Sequence, residues 1–177
     1  MLLIDQIKST IRDVEGYPKP GIVFKDITPV LADPVMVKQV IQVMAKDFRD
    51  KKIDAVAAIE ARGFILGAIL AHELGCGFIP VRKAGRLPFK TRRQGYDLEY
   101  GTAEIEVHTD SIKPGSRVLV HDDLLATGGT ACAAGKLIKS FDGEVAGFSF
   151  LINLSFLPGA AKLVDQFGLA PEFLIKY

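Results

Sequence analysis

The chain has no tryptophan, two cysteines, three histidines and three methionines among its 177 residues. Cys76 and Cys132 form no Cys-x-x-Cys pair and meet no histidine cluster, so neither a zinc site nor a disulfide framework is encoded. No apolar run approaches the roughly 20 residues that span a bilayer. The start, Met1 to Asp5, lacks the basic region and apolar core of a signal peptide. A reduced, cytoplasmic setting is therefore expected. Charge of one sign is also missing: the formal net charge is +1, which gives no electrostatic footprint for nucleic acid or a membrane surface. Neither Gly-x-Gly-x-x-Gly nor Gly-x-x-x-x-Gly-Lys-Ser/Thr occurs, which argues against dinucleotide and P-loop triphosphate sites. No internal repeat, linker or low-complexity segment interrupts the chain. What is present is 49% hydrophobic and 24% charged, the balance of a globular protein. The length suits a single domain over residues 1–177.

The hydrophobic pattern alternates between two periods. Leu3, Ile4, Ile7, Ile11 and Val14 stand near helical spacing, which predicts an amphipathic helix over 2–14. Gly16, Pro18, Pro20 and Gly21 end it, and a loop or short extended piece follows to Pro29. Asp33-Pro34 is a helix cap and first helical position, and Val37, Val40, Ile41, Met44 and Phe48 mark one face of a helix to about Arg49. Asp54 to Ile59 is a buried strand, followed by a helix over 64–74 and a strand over 77–81. Arg82, Lys83, Arg86, Lys90, Arg92 and Arg93 crowd a basic loop. Residues 103–107 alternate as a half-exposed strand, with Glu104 and Glu106 on its polar face. A strand over 145–152, a short helix over 158–167 and a strand over 173–176 complete an α/β fold with a parallel sheet.

The most informative stretch is Val118 to Thr130. An apolar strand leads into two adjacent acids, Asp122 and Asp123. A turn of small residues follows, Ala126-Thr127-Gly128-Gly129-Thr130, and then a helix-compatible segment to Phe141. Glycines admit an anion close to the backbone, and free amides at a helix start point towards it. The acids would repel a phosphate. They suit hydroxyls and a metal ion beside it, as in a sugar phosphate. Taken as residue types alone, the same pattern also fits an ordinary α/β turn.

The string Asp-Asp-Leu-Leu-Ala-Thr-Gly-Gly-Thr resembles the phosphoribosyl-pyrophosphate motif of the type I phosphoribosyltransferases. The resemblance extends over nearly the whole chain. It implies a parallel-sheet core with helices on both faces, an N-terminal hood over 1–33, and a flexible loop with hairpin over 84–107. Asp122, Asp123 and the turn Ala126, Thr127, Gly128, Gly129 and Thr130 would then bind the phosphoribosyl group. Pro20 to Pro29 is similar to the stretch that binds adenine, with Phe24 stacked on the base and the backbone of Val23 and Lys25 reading its edge. A fixed N–H and C=O pair matches adenine's N1 acceptor and 6-amino donor and mismatches a 6-oxo face. Glu60-Ala61-Arg62-Gly63 resembles the family's pyrophosphate loop, which implies a pyrophosphate contact for Arg62 and a cis peptide between Ala61 and Arg62. Arg82 and Lys83 match the pair that serves pyrophosphate, in a neighbouring subunit in some cases, so a homodimer is expected. Leu98-Glu99-Tyr100-Gly101 is similar to the loop signature that brings Glu99 to the adenine ring as the catalytic carboxylate. Mg²⁺ is expected through the substrate. One departure is His121, where the family carries an aliphatic residue. The implied reaction joins adenine to the phosphoribosyl group of phosphoribosyl pyrophosphate, giving AMP and pyrophosphate in purine salvage. The rivals are another base, a phosphoribosyl-pyrophosphate-binding regulator, and a plain nucleotide-binding module.

Overall fold

The computed structural model describes residues 3–97 and 101–177. The chain forms two compact units, one ending at Val43 and one beginning at Met44.

The first unit starts with α1 (Leu3–Thr10), which buries Ile7. The expected helix over 2–14 stops there. The hydroxyls of Ser9 and Thr10 both fold back onto the Gln6 carbonyl (2.9 Å each), offering the backbone a local alternative to the next turn. Arg12–Glu15 becomes β1 instead, antiparallel to β2 (Val23–Asp26) with Val14 opposite Phe24. Cross-strand charge pairs fit this register: Lys25 Nζ lies 2.7 Å from Asp13 Oδ1 and Arg12 Nη1 lies 3.5 Å from Asp26 Oδ2. α2 (Thr28–Ala32) and α3 (Pro34–Lys46) follow. Asp33 caps α3 as expected, accepting from the amides of Val35 (2.9 Å) and Met36 (3.0 Å).

The second unit contains β3 (Ala55–Ile59), α4 (Gly63–Leu74), β4 (Gly77–Lys83), β5 (Thr91–Asp97), β6 (Thr102–His108), β7 (Arg117–Leu125), α5 (Gly129–Lys139), β8 (Glu144–Asn153), α6 (Gly159–Phe167) and β9 (Glu172–Lys176). The sheet runs β5-β6-β4-β3-β7-β8-β9. Strands β4, β3, β7, β8 and β9 are parallel, while β6 joins β4 and β5 antiparallel. Every residue of β3 is buried, as its small apolar sequence requires of a strand covered on both faces. Alternate residues serve the two faces. Ala57, Ile59, Val118 and Val120 join the α5 side of the core with Leu137 and Ile138. Ala58 and His121 face α4, where a Cβ on Gly67 would meet the Ala58 Cβ at 2.6 Å and His121 Cδ2 at 3.1 Å.

The chain leaves β3 towards β4 on one side and β7 towards β8 on the other. The carboxyl ends of β3 and β7 therefore flank a topological switch point, the place where open α/β sheets bind ligands.

The basic stretch 82–93, expected as an open loop, is the end of β4, a connection, and the start of β5. The polar strand face expected for both Glu104 and Glu106 holds only for Glu104. Glu106 is 1% exposed because the connection between β4 and β5 folds over it.

Candidate active site

β7 carries its pairing with β8 through Leu125, so both acids stand on the strand itself. Asp123 is buried; its amide donates to Asp122 Oδ1 (2.8 Å), and its Oδ2 lies 3.1 Å from Arg62 Nε. Burial pushes the Asp122 carboxyl well above the ordinary carboxylate range, and the neighbouring Asp123 charge pushes the same way. Asp123 is also raised by burial, against the pull of the Arg62 guanidinium. Two carboxylates this close do not both ionise readily without further positive charge or hydrogen-bond donors.

The turn after β7 opens α5. The first bond of the helix runs from Cys132 N to Gly128 O (2.9 Å), so the amides of Gly129, Thr130 and Ala131 precede its ladder. A cavity of about 100 Å³ sits here, lined by residues 124–131 together with Asp122 and Phe150. Its size and its amide supply suit a phosphate at a helix N-terminus. Gly128 has φ of +78°, and a Cβ there would meet the Gly159 backbone at 3.0 Å. The start of α6 thus packs directly against the turn, and Gly159 N donates to Ala126 O (3.1 Å). On the other side, a Cβ on Gly129 would reach Tyr96 Cδ2 at 3.5 Å and Asp97 O at 3.6 Å, which places the end of β5 beside the turn.

Arg62 precedes α4, whose first residue makes the closest helix–sheet approach of the site. A Cβ on Gly63 would lie 2.8 Å from Asp122 Oδ1 and 3.1 Å from its Cα. The cis peptide expected at Ala61–Arg62 lies one bond earlier, at Glu60–Ala61. Pairing with β4 continues to that bond, since Glu60 N donates to Val81 O (3.0 Å). The Glu60 carboxylate then accepts from Arg82 Nε (2.8 Å) and from Lys83 N (2.6 Å). Burial opposes its charge, but these donors hold its pKa below the usual value.

Arg62, Arg82, Lys83, Asp122, Asp123 and the turn from Ala126 to Thr130 are thus all in the second unit, around the carboxyl ends of β3, β4 and β7. Val23, Phe24 and Lys25 lie on β2 in the first unit, where the Phe24 ring meets Tyr17 edge-on at 5.1 Å between centroids. Glu99 lies outside the described residues. Two acids that the sequence reading gave no site role, Glu60 and Glu106, each accept several hydrogen bonds in the second unit. For Glu60 a signal existed, an acid ending a buried strand beside an arginine.

His121 is fully buried, and burial lowers its pKa to about 4, so the ring is neutral. It packs towards Gly67, which makes it part of the α4 seam.

Residues 27–165 match the phosphoribosyl transferase domain family. An adenine phosphoribosyltransferase from Cytophaga hutchinsonii is 52% identical over 92% of this chain and 90% of its own length. The crystal structure of an adenine phosphoribosyltransferase from Thermoanaerobacter pseudethanolicus superposes with a TM-score of 0.94 at 48% identity, covering 98% of this chain and 99% of that one. That of the Saccharomyces cerevisiae enzyme, complexed with an imino-altritol bisphosphate and adenine, gives 0.89 at 33% identity, with 97% and 98% covered. With a domain match over most of its length and relatives at this identity, the chain belongs to the adenine phosphoribosyltransferase family of type I phosphoribosyltransferases.

Proposed function

We infer that the protein transfers the 5-phosphoribosyl group of phosphoribosyl pyrophosphate to adenine, releasing pyrophosphate and forming AMP for purine salvage. The observation that carries this reading is the acid pair Asp122–Asp123 beside an amide-lined, phosphate-sized cavity, with Arg62 3.1 Å from Asp123. Residues 1–177 act as one transferase domain, with 1–33 as the base-recognition hood and 84–107 as the lid loop and hairpin.

The transfer breaks the bond from C1′ to the pyrophosphate oxygen and forms one from C1′ to N9 of adenine, while the ring proton that the reacting tautomer carries on N7 passes to Glu99 and on to solvent. The 5′-phosphate is seated on the amides and hydroxyls of Ala126 to Thr130. Asp122 and Asp123 take the ribose hydroxyls, fixing C1′. Their negative charge also stabilises the positive charge that develops on the sugar. Arg62, Arg82 and Lys83 face the leaving pyrophosphate. Phe24 stacks on adenine, the backbone of Val23 and Lys25 reads its edge, and Glu99 stabilises the reacting tautomer near N7.

Among the described residues, no cluster of three or more His, Cys, Asp or Glu side chains offers a metal cage. Two adjacent carboxylates fit the way Mg²⁺ is held when substrate oxygens and water supply most of its ligands. Asp122 and Asp123 are the side chains that would reach such an ion. When bound, it neutralises charge on the departing pyrophosphate.

The protein acts as a homodimer. Supporting this, α4 is apolar on nearly every side, and it leaves Ile65 45% and Ile69 37% exposed, with Phe78 of β4 at 38%. A cytoplasmic location fits the two free cysteines. Among the described residues, no helix is long and apolar enough to cross a membrane. The test is pyrophosphate release from phosphoribosyl pyrophosphate with adenine, hypoxanthine, guanine and orotate in parallel. Release with adenine alone is expected; preference for another base overturns the reading.

A further inference from the structure

Glu106 is a buried carboxylate that the transfer chemistry leaves unused. Its Oε1 accepts from the amides of Arg86 (2.9 Å) and Leu87 (3.0 Å), at the start of the β4–β5 connection. Its Oε2 accepts from the Thr91 hydroxyl (3.0 Å) and from Arg93 Nε (3.1 Å), at the end of it. One side chain therefore ties both ends of residues 84–91 to β6. Burial works against its charge, yet the amides of Leu87, Gly85 and Arg86 and the Thr91 hydroxyl keep it ionised.

The bonding continues beyond the connection. The carbonyl of Arg86, whose amide Glu106 holds, accepts from Arg82 Nη1 (3.0 Å). Arg82 Nε donates to Glu60 (2.8 Å), and two residues on, Arg62 pairs with Asp123 (3.1 Å). The path from β6 to the acid pair thus alternates polar bonds with short stretches of backbone, through Arg86 and from Glu60 to Arg62. Its polar links are of ordinary length, and the backbone between them carries a geometric constraint onward.

We propose that Glu106 is a positioning residue for pyrophosphate: by clasping the β4–β5 connection it orients Arg82, and through Glu60 it sets the loop that presents Arg62. The assignment rests on the reading of Arg62 and Arg82 as pyrophosphate ligands. Glu106 touches no substrate itself. Removing its charge weakens recognition of pyrophosphate and is expected to spare the phosphate turn, which is built from β7, α5 and α6 and meets β5 only at its far end, Tyr96 and Asp97.

The test is Glu106→Gln, which keeps the shape but replaces one acceptor oxygen by a donor. Calorimetric titration with pyrophosphate and with AMP is combined with hydrogen exchange of the peptide spanning residues 84–91. The expected result is at least fivefold weaker pyrophosphate binding, AMP affinity within twofold of wild type, and faster exchange in that peptide. In turnover, the KM for phosphoribosyl pyrophosphate rises while that for adenine holds. Thr91→Val removes one donor from the clasp and leaves the buried charge with its other partners. It gives the same pattern at smaller amplitude and stands in if the glutamine variant does not fold. Faster exchange with unchanged pyrophosphate affinity overturns the proposal, as does an equal loss of AMP and pyrophosphate. Unchanged exchange shows that Glu106 is no clasp. A wild-type protein that binds AMP but no pyrophosphate fails the underlying assignment of Arg62 and Arg82, a result seen before any variant is made.

Discussion

Gly63 offers the sharpest test of how the site is assembled. A methyl group there would stand 2.8 Å from Asp122 Oδ1, 3.1 Å from Asp122 Cα and 3.3 Å from the His121 carbonyl oxygen. The carboxylate can rotate away, but the two backbone atoms cannot. β7 is paired on both sides at this level, His121 with Ala58 and Asp122 with Phe150. The start of α4 must therefore move, and Arg62 with it. Overpacking of this kind costs about 1–3 kcal/mol. Against it stands the helix preference for alanine over glycine, about 1 kcal/mol. The net expectation for Gly63→Ala is a loss of roughly 0–2 kcal/mol in urea unfolding. With it comes at least about a tenfold loss of AMP affinity, equal to ~1.4 kcal/mol, because the ribose acid is displaced. Gly67→Ala is the matched control. Its methyl would meet the Ala58 Cβ at 2.6 Å, one turn further along the same helix and away from Asp122. It is expected to lose stability while keeping AMP affinity within twofold. If Gly63→Ala is as stable as wild type and binds AMP normally, the close contact does not position the acid. If both variants lose AMP binding equally, the effect belongs to the whole helix.

Three further outcomes follow from other parts of the chain. Phe24→Ala is expected to raise the KM for adenine by about 5- to 150-fold, the equivalent of ~1–3 kcal/mol of base stacking, and to raise that for phosphoribosyl pyrophosphate far less; equal rises in steady-state kinetics refute the platform. Glu99→Gln is expected to slow single-turnover AMP formation at least about tenfold, with Glu104→Gln near normal; the reverse ranking shows that the role was placed on the wrong glutamate. Glu106 has a folded pKa held at about 2 against a usual 4.5. A depressed carboxylate pKa stabilises the fold above the unfolded value and loses that contribution as pH falls from about 4.5 to 2, so roughly 3 kcal/mol of stability should vanish across that window. Urea titrations at pH 6 and pH 3 capture about 2 kcal/mol of that loss, and a Glu106→Gln variant should show a correspondingly shallower pH dependence.

The alternation of strands and helices in the second unit was legible because its apolar residues are clustered and long. Asp54 to Ile59 and Val118 to Val120 admit no other reading, and the turn at 126–130 announces itself by composition. The departures share a cause, which is contact with residues distant in the chain. Residues 12–15 have helical spacing behind them, yet pair with β2 through Arg12, Asp13 and Val14. Glu106 alternates with Ile105 exactly as an exposed residue would. Only the connection lying across it makes it a buried acceptor, and no local pattern encodes that covering. Arg82 looks like a free cation in a basic run, but its partner, Glu60, lies across β3 and β4. Arg92 likewise lies 4.0 Å over the Phe141 ring, far along the chain.

The β5–β6 ribbon is joined to the sheet asymmetrically. Its two strands pair with each other at seven positions, from Thr91–His108 to Asp97–Thr102, while β6 meets β4 at two, Arg82–Glu106 and Lys83–Ile105, extended by a bond from Ala84 N to Glu104 O (3.0 Å). Ile105 and Val107 of β6 are buried in the main core and Arg92 of β5 lies over Phe141, so the ribbon is held along its length as well as at this seam. The seam lies level with Arg93 and Gln94, so about 10–13 Å of ribbon extends from it to Asp97. That end holds Tyr96 and Asp97, the residues standing beside Gly129 at the mouth of the phosphate turn. The seam itself contains Arg82 and Glu106. One continuous ladder thereby links the seam that holds Arg82 and Glu106 to the turn that opens α5.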